Sequence, residues 1–392
     1  MTKGWLSADL WIIGAGFIAA MHVGKLPPAV SALQIELSIS LVQAGLLLSL
    51  IQGAGMVSAL ALGSYVEKIG LKRCVLIGLL LLSVASAVGA FSHSMHALFI
   101  SRIVEGFGFL LVTLSAPAYI RQLVPIEQLH AKIGLWSSYM GTGVGLSLLL
   151  APFLIESLGW QSLWLLLALL SLLLCLVIWK WVPKASPVAK NIAITELVTS
   201  TLKHPPAWCL AFIFAMYTGQ WFTLIGFLPT IYQHNMISLK VAGLLTAMVA
   251  LSNAIGTSVC GLLLQRGFSS KTLVQFGFSV LLVCAFTFYT MQNQLPFMLQ
   301  YALVFSFSMF GGLVAATILS QSLHFAVKPI AISATVGLIL QVSAISQFLL
   351  PPAVAGIVSM TASWFWVGIL MASLSAIGIV VTQYLFKAAS AQ

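Results

Sequence analysis

Gly63-Ser64-Tyr65-Val66-Glu67-Lys68-Ile69-Gly70-Leu71-Lys72-Arg73 is a short charged stretch set between two apolar runs, near 43–65 and 74–92. A stretch of the same kind returns at Gly261-Leu262-Leu263-Leu264-Gln265-Arg266-Gly267-Phe268-Ser269-Ser270-Lys271, again between apolar runs, near 241–264 and 272–291. The two are offset by 198 residues in a chain of 392. A basic, glycine-bounded loop that recurs midway along an apolar chain predicts two tandem copies of one helical unit.

Composition extends that reading to the whole chain. Hydrophobic residues make up 60% and charged residues 6%, with a mean hydropathy of +1.09. Soluble domains carry roughly 25% charged residues, so this chain has too few solvating groups to cover a water-soluble globule. Disorder, collagen and nucleic-acid binding are excluded with the soluble folds. The five cysteines, Cys74, Cys175, Cys209, Cys260 and Cys284, all lie in apolar runs without metal spacing and read as small buried hydrophobes.

A bilayer core needs roughly 20 apolar residues per helix, and twelve runs qualify. Six fall near 9–33, 43–65, 74–92, 97–120, 132–155 and 161–182; six more fall near 207–232, 241–264, 272–291, 296–320, 330–354 and 363–386. The expected class is therefore an all-α polytopic membrane protein of twelve transmembrane helices in two six-helix bundles. The expected domains are a bundle at 1–182, a polar linker at 183–206 and a second bundle at 207–392. The run from Trp5 to Ala20 has no basic flank or cleavage site, so no cleavable signal peptide is expected. With the N-terminus inside, 14 of the 17 Lys and Arg fall in inner segments and Lys240 alone in an outer loop. That asymmetry predicts both termini on the cytoplasmic side of the inner membrane.

The Gly63–Arg73 stretch resembles the cytoplasmic signature of the major facilitator superfamily, GxxxDRxGR[RK]. Glu67 stands for its Asp and Lys68 for its Arg, while Gly63, Gly70, Lys72 and Arg73 fit. Arg102-Ile103-Val104-Glu105-Gly106 is similar to the superfamily's RxxxG pattern. His22-Val23-Gly24-Lys25-Leu26-Pro27-Pro28 resembles the cyanate and nitroimidazole transporter-like branch. The resemblance implies the major facilitator fold, with spans 1 and 4 lining a central cavity. It also implies a conformational switch made by Gly63, Glu67, Lys68, Gly70, Lys72 and Arg73, with Glu67 placed against the start of span 11 beside Lys328, Pro329 and Ile330.

Charge at membrane depth costs about 2.5–3.5 kcal/mol on insertion scales, so each such residue is a functional candidate. His22 and Lys25 in span 1 are spaced i,i+3, and so are Arg102 and Glu105 in span 4; each pair shares a helix face. Two cations to one carboxylate point to an anionic solute, or a neutral one strongly polarised by hydrogen bonding, met by His22, Lys25 and Arg102. An unperturbed imidazole titrates in the working range and Glu105 is the one acid at depth, so His22 and Glu105 are the candidates for proton coupling. Against this, Arg102 and Glu105 could simply pair with each other. After Glu196 the chain has no Asp or Glu. Its polar groups at depth are neutral: Gln220, Trp221, Asn253, Gln300 and Gln341 are candidate substrate ligands, with Tyr139 and Gln52 from the first half. The offset of 198 pairs His22 with Gln220 and Arg102 with Gln300.

The functional reading is a monomeric carrier in a lipid bilayer that moves a small anion, by proton-coupled uptake. A drug/proton antiporter competes with it, although Thr142 stands where exporters of the superfamily place a proline. Met21-His22 and His93-Ser94-Met95-His96 raise metal transport as a minor reading. No GxSxG, HExxH or P-loop pattern is present, so neither an enzyme, a cofactor nor ATP-driven pumping is expected.

Overall fold

The computed structural model describes residues 7–92, 94–184, 194–292, 294–322, 324–327 and 332–390. Among them, twelve helices are long and apolar enough to cross a membrane, as the composition demanded. Spans 1 to 6 are Ala8–Leu37, Leu41–Gly63, Leu71–Ala90, Met95–Leu123, Tyr139–Leu158 and Trp160–Trp181. Spans 7 to 12 are Pro205–His234, Leu239–Gln265, Ser270–Thr290, Phe297–Gln321, Ala334–Thr361 and Phe365–Lys387. With an even number of spans, the two ends of the chain and the connection between span 6 and span 7 share one side, called here the linker side.

Three first-half spans depart from the simple runs expected. Span 1 stops as an α-helix at Gly24 and resumes through the turn Pro27–Ala29 into Val30–Leu37. Pro27 and Pro28 have no backbone N–H to give, so the ladder cannot continue. Span 2 breaks between Leu41–Leu50 and Gly53–Ile69. Span 5 does not begin near 132: a helix Ile126–Ser137 runs into Tyr139–Leu158 across a turn at Ser138. In span 11, Pro351 and Pro352 lie inside the helix and it continues to Thr361, well past 354. Neighbouring helices shield backbone freed by such prolines, and Gly45 of span 2 packs directly on Pro351 and Pro352.

The duplicated loops end their helices alike. Gly70 (φ 101°) and Gly267 (φ 85°) both have positive φ, a conformation that costs other residues roughly 1–2 kcal/mol. Each lets the chain reverse at once into the next span. Lys72, two residues after Gly70, donates to the carbonyls of Trp179 (3.0 Å) and Val182 (2.5 Å), capping the C-terminal end of span 6 with a cation. Lys68 lies over the Tyr65 ring at 5.3 Å. The Glu67 side chain and residues 328–331 lie outside what is described, so the expected Glu67 contact with Lys328, Pro329 and Ile330 is not among the described features.

Spans 1, 3, 4 and 6 pack together, as do spans 7, 9, 10 and 12. The two halves meet chiefly where span 2 lies on span 11 and span 5 on span 8. Small residues permit that closeness. A Cβ on Gly141 would sit 2.9 Å from the Ala250 carbonyl, and one on Gly243 only 2.2 Å from Pro152. Between spans 5 and 8 these contacts run from mid-membrane to the side away from the linker, whereas spans 2 and 11 also meet toward the linker side, where a Cβ on Gly337 would lie 3.2 Å from Leu60. Below them, Gly134 and Gly261 each face open space.

Candidate functional site

His22, Lys25, Arg102 and Glu105 come together at the break in span 1, all between 0% and 1% exposed. Lys25 donates to one oxygen of Glu105, and Arg102 donates to the other at 2.7 Å. Lys25 also donates to Ser86 of span 3 (2.8 Å) and toward Nδ1 of His22 (3.4 Å), with its ammonium 4.5 Å from the Trp164 ring centre. A desolvated cation over a tryptophan is worth about 2 kcal/mol. His22 Nε2 lies 2.8 Å from the Ser171 hydroxyl of span 6, so a neutral ring protonated on Nε2 satisfies both neighbours. Its Nδ1 lies 3.6 Å from Glu105.

Arg102 has a second task. Its Nη1 donates to the His22 carbonyl (2.8 Å) and its Nε to the Leu47 carbonyl (3.4 Å). His22 and Leu47 belong to the last turns of the helix segments that stop at Gly24 and Leu50. Last-turn carbonyls lack intrahelical partners and carry the negative end of the helix dipole. One guanidinium thus satisfies both breaks and a carboxylate.

The cluster therefore lies inside the first bundle, enclosed by spans 1, 3, 4 and 6, and both members of the in-helix Arg102–Glu105 pair are present. Its partners Ser86, Ser171 and Trp164 carried no mark in the sequence beyond being polar or aromatic in apolar runs. Asp9, which pairs with Lys132 at 2.7 Å, was also missed; this ion pair braces the start of span 1 against the Ile126–Ser137 helix.

In the second bundle, Gln220 accepts from Ser375 of span 12 (3.1 Å) and donates to the Met216 carbonyl (2.6 Å). The His22–Ser171 contact joins spans 1 and 6, and Gln220–Ser375 joins spans 7 and 12, so the two halves repeat one polar contact. The offset of 198 fails at span 4. Met95 opens span 4 and Phe297 opens span 10, an offset of 202, which sets Arg102 and Glu105 against Val304 and Phe307. Those two border an apolar gap beside Gln220. Gln300 instead donates to the carbonyls of Gln292 (2.7 Å) and Leu295 (2.8 Å) and ties down the turn between spans 9 and 10.

The remaining candidates fall into two networks. Asn253 donates to the Tyr217 hydroxyl (2.6 Å) and the Ser308 carbonyl (2.9 Å), while Trp221 donates to the Ser308 hydroxyl (2.9 Å). The other crosses the seam between the halves. Gln52, at the break in span 2, donates to Gln347 (2.9 Å), which donates to Ser343 (2.8 Å), itself 2.8 Å from Thr218. Gln341 accepts from the Leu60 backbone N–H at 3.0 Å, again across spans 2 and 11. Gln347 was legible by the rule that selected Gln341: both are amides in one apolar helix. Tyr139 stacks on Trp136 with centroids 4.8 Å apart, at the turn within span 5. Among the described residues no group of three or more His, Cys, Asp and Glu is placed to hold a metal ion.

Residues 12–351 match the family model of the Major Facilitator Superfamily. Over 161 residues the chain is 32% identical to NiaP of Bacillus subtilis (strain 168), whose name proposes niacin/nicotinamide transport; the match covers 41% of this chain and 40% of NiaP. Over 197 residues it is 26% identical to the cyanate transport protein CynX of Escherichia coli (strain K12), covering 50% of each. These matches span half or less of either relative's length. A bacterial homolog of the human lysosomal transporter Spinster, solved inward-facing and unoccupied, shares the fold with a TM-score of 0.73, over 98% of this chain and 95% of that one, at 16% identity.

Proposed function

The chain belongs to the Major Facilitator Superfamily, and we propose that it carries a small anionic solute across the cytoplasmic membrane by alternating access, as proton-coupled uptake. The observation that carries this reading is the state of Glu105. It is the one carboxylate at mid-membrane depth among the described residues, and Lys25 and Arg102 occupy both its oxygens. A cationic solute would find no free countercharge there, whereas an anion meets two cations and no competing acid from the second half. The name of CynX, pointing to cyanate, and the niacin half of NiaP's name agree with this class; the nicotinamide in the same name is uncharged.

In this proposal the solute lies between the halves, against Gln52, Gln347, Tyr139, Trp221 and Asn253, and Lys25 and Arg102 meet its charge as span 1 moves. A proton on His22 Nδ1 would turn an acceptor for Lys25 into a donor aimed at Glu105, freeing Lys25. Glu67 acts as the latch on the linker side, with both termini cytoplasmic as the basic inner loops predict. Thermal stabilisation of the purified protein tests the solute class. Nicotinate, cyanate or a related anion at 100-fold its Kd is expected to add about 2.7 kcal/mol. Stabilisation by cationic drugs alone would overturn the reading and favour export.

Alternating access has its own test. Gly134 lies seven residues before Gly141, across the turn at Ser138, and Gly261 seven after Ala254, so continuing the antiparallel packing of spans 5 and 8 past that turn brings the two to one level. Closure on the linker side should bring them into contact. With the native cysteines replaced, the pair Gly134→Cys and Gly261→Cys is expected to cross-link in the membrane and to arrest transport until reduced. Failure to cross-link with or without solute would mean that spans 5 and 8 never close there.

A further inference from the structure

A groove of about 550 Å³ opens on the membrane-facing surface of the second bundle, at the linker-side ends of spans 7 and 12. Trp208 and Phe212 of span 7 form one wall, Val381 and Tyr384 of span 12 the other, and Leu202 and Lys203 close the linker end. Phe212, Tyr384 and Lys203 are exposed. Trp208 stacks on Phe212 with centroids 5.9 Å apart and donates through Nε1 to the Leu202 carbonyl (2.9 Å), fixing the end of the Ile194–Leu202 helix to span 7. The groove thus has an apolar body within the membrane, a Trp and a Tyr at its edge and a cation at its mouth. Tryptophan and tyrosine favour the headgroup level of a bilayer.

Charge selects the occupant. No Asp or Glu follows Glu196, while the segments of the same stretch assigned to the linker side hold Lys203, Arg266, Lys271, Lys328 and Lys387. Glu196 itself lies seven residues before Lys203, about 10 Å away along a helix. An anionic group at Lys203 therefore meets attraction from this half and no carboxylate of its own. We infer that the groove binds an anionic phospholipid. Its phosphate lies between the Lys203 ammonium and the Tyr384 hydroxyl, and an acyl chain runs along Phe212 and Val381. The Ile194–Leu202 helix packs on spans 2 and 11 as well as span 7. A lipid holding its end would steady the helix that bridges the seam between the halves. This site is independent of the solute's identity.

The test uses the full-length protein in mild detergent, with phosphatidylglycerol, phosphatidylcholine or inorganic phosphate added and thermal unfolding as the readout. Phosphatidylglycerol is expected to raise the unfolding temperature at lower concentration than phosphatidylcholine. Lys203→Gln, at an exposed position, should weaken the phosphatidylglycerol response about fivefold and leave that to phosphatidylcholine unchanged. Val381→Trp, which fills the groove, should blunt both. An undiminished phosphatidylglycerol preference in Lys203→Gln, or no preference in the unsubstituted protein, would overturn the inference. So would an equal shift from inorganic phosphate, which would mark a soluble anion's site.

Discussion

Glu105→Gln is expected to cost about 3–5 kcal/mol of stability, because it leaves two buried cations without their carboxylate. Lys25 would retain Ser86, the face of Trp164 and a long contact with His22, and Arg102 would retain two backbone carbonyls. None of these carries a full negative charge. The cost should therefore fall when one cation leaves with the carboxylate. Lys25→Met with Glu105→Gln is expected to be more stable than Glu105→Gln alone, with a coupling energy at the upper end of the ~0.5–3 kcal/mol seen for contacting pairs. Thermal unfolding of the four proteins of the cycle in detergent measures it. Simple additivity would mean that Lys25 and Glu105 do not depend on each other. Transport separates a second role: at permissive temperature, Glu105→Gln should still exchange solute but lose accumulation driven by a pH gradient. Unchanged accumulation in both Glu105→Gln and His22→Gln would remove the proton from the first bundle.

The spans, the duplicated loops and the pairs His22–Lys25 and Arg102–Glu105 were all legible, because a membrane helix is written in run length and a shared face in i,i+3 spacing. Where those faces point was not. In an apolar helix the lipid side and the buried side are made of the same residues, so little in the pattern sets its rotation. The cluster consequently lies among Ser86, Trp164 and Ser171, groups that nothing in the sequence set apart. Register failed for a related reason: a fixed offset carried Arg102 to Gln300, but unequal loops change the offset between spans. The span 2 break at Gln52 was also unforeseen: Gly53 and Gly55 follow it, but a glycine inside an apolar run is tolerated in a helix and marks no break by itself. Span 11 was read as ending near 354, just past Pro351 and Pro352, whereas the helix carries both prolines and continues to Thr361.

Arg102→Lys is expected to fail in transport although it keeps the charge. The guanidinium reaches Glu105 through Nη1 at 2.7 Å, the His22 carbonyl through the same nitrogen at 2.8 Å and the Leu47 carbonyl through Nε at 3.4 Å. These acceptors lie on spans 4, 1 and 2, and a planar fork addresses several directions at once. A lysine ammonium is a single point on a flexible stem, able to keep Glu105 or the two helix ends but not all three. Losing one charge-assisted bond is worth about 1.5–3 kcal/mol. That corresponds to about a ten- to hundredfold loss of the arrangement in which spans 1 and 2 are both held at their breaks. The lysine should still neutralise Glu105, so Arg102→Lys ought to insert and purify as a stable protein where Arg102→Ala does not. The decisive comparison is transport rate against thermal stability in these two variants. Transport by Arg102→Lys near the unsubstituted level would show that only the positive charge matters, and that the two carbonyl contacts do not govern the movement of spans 1 and 2.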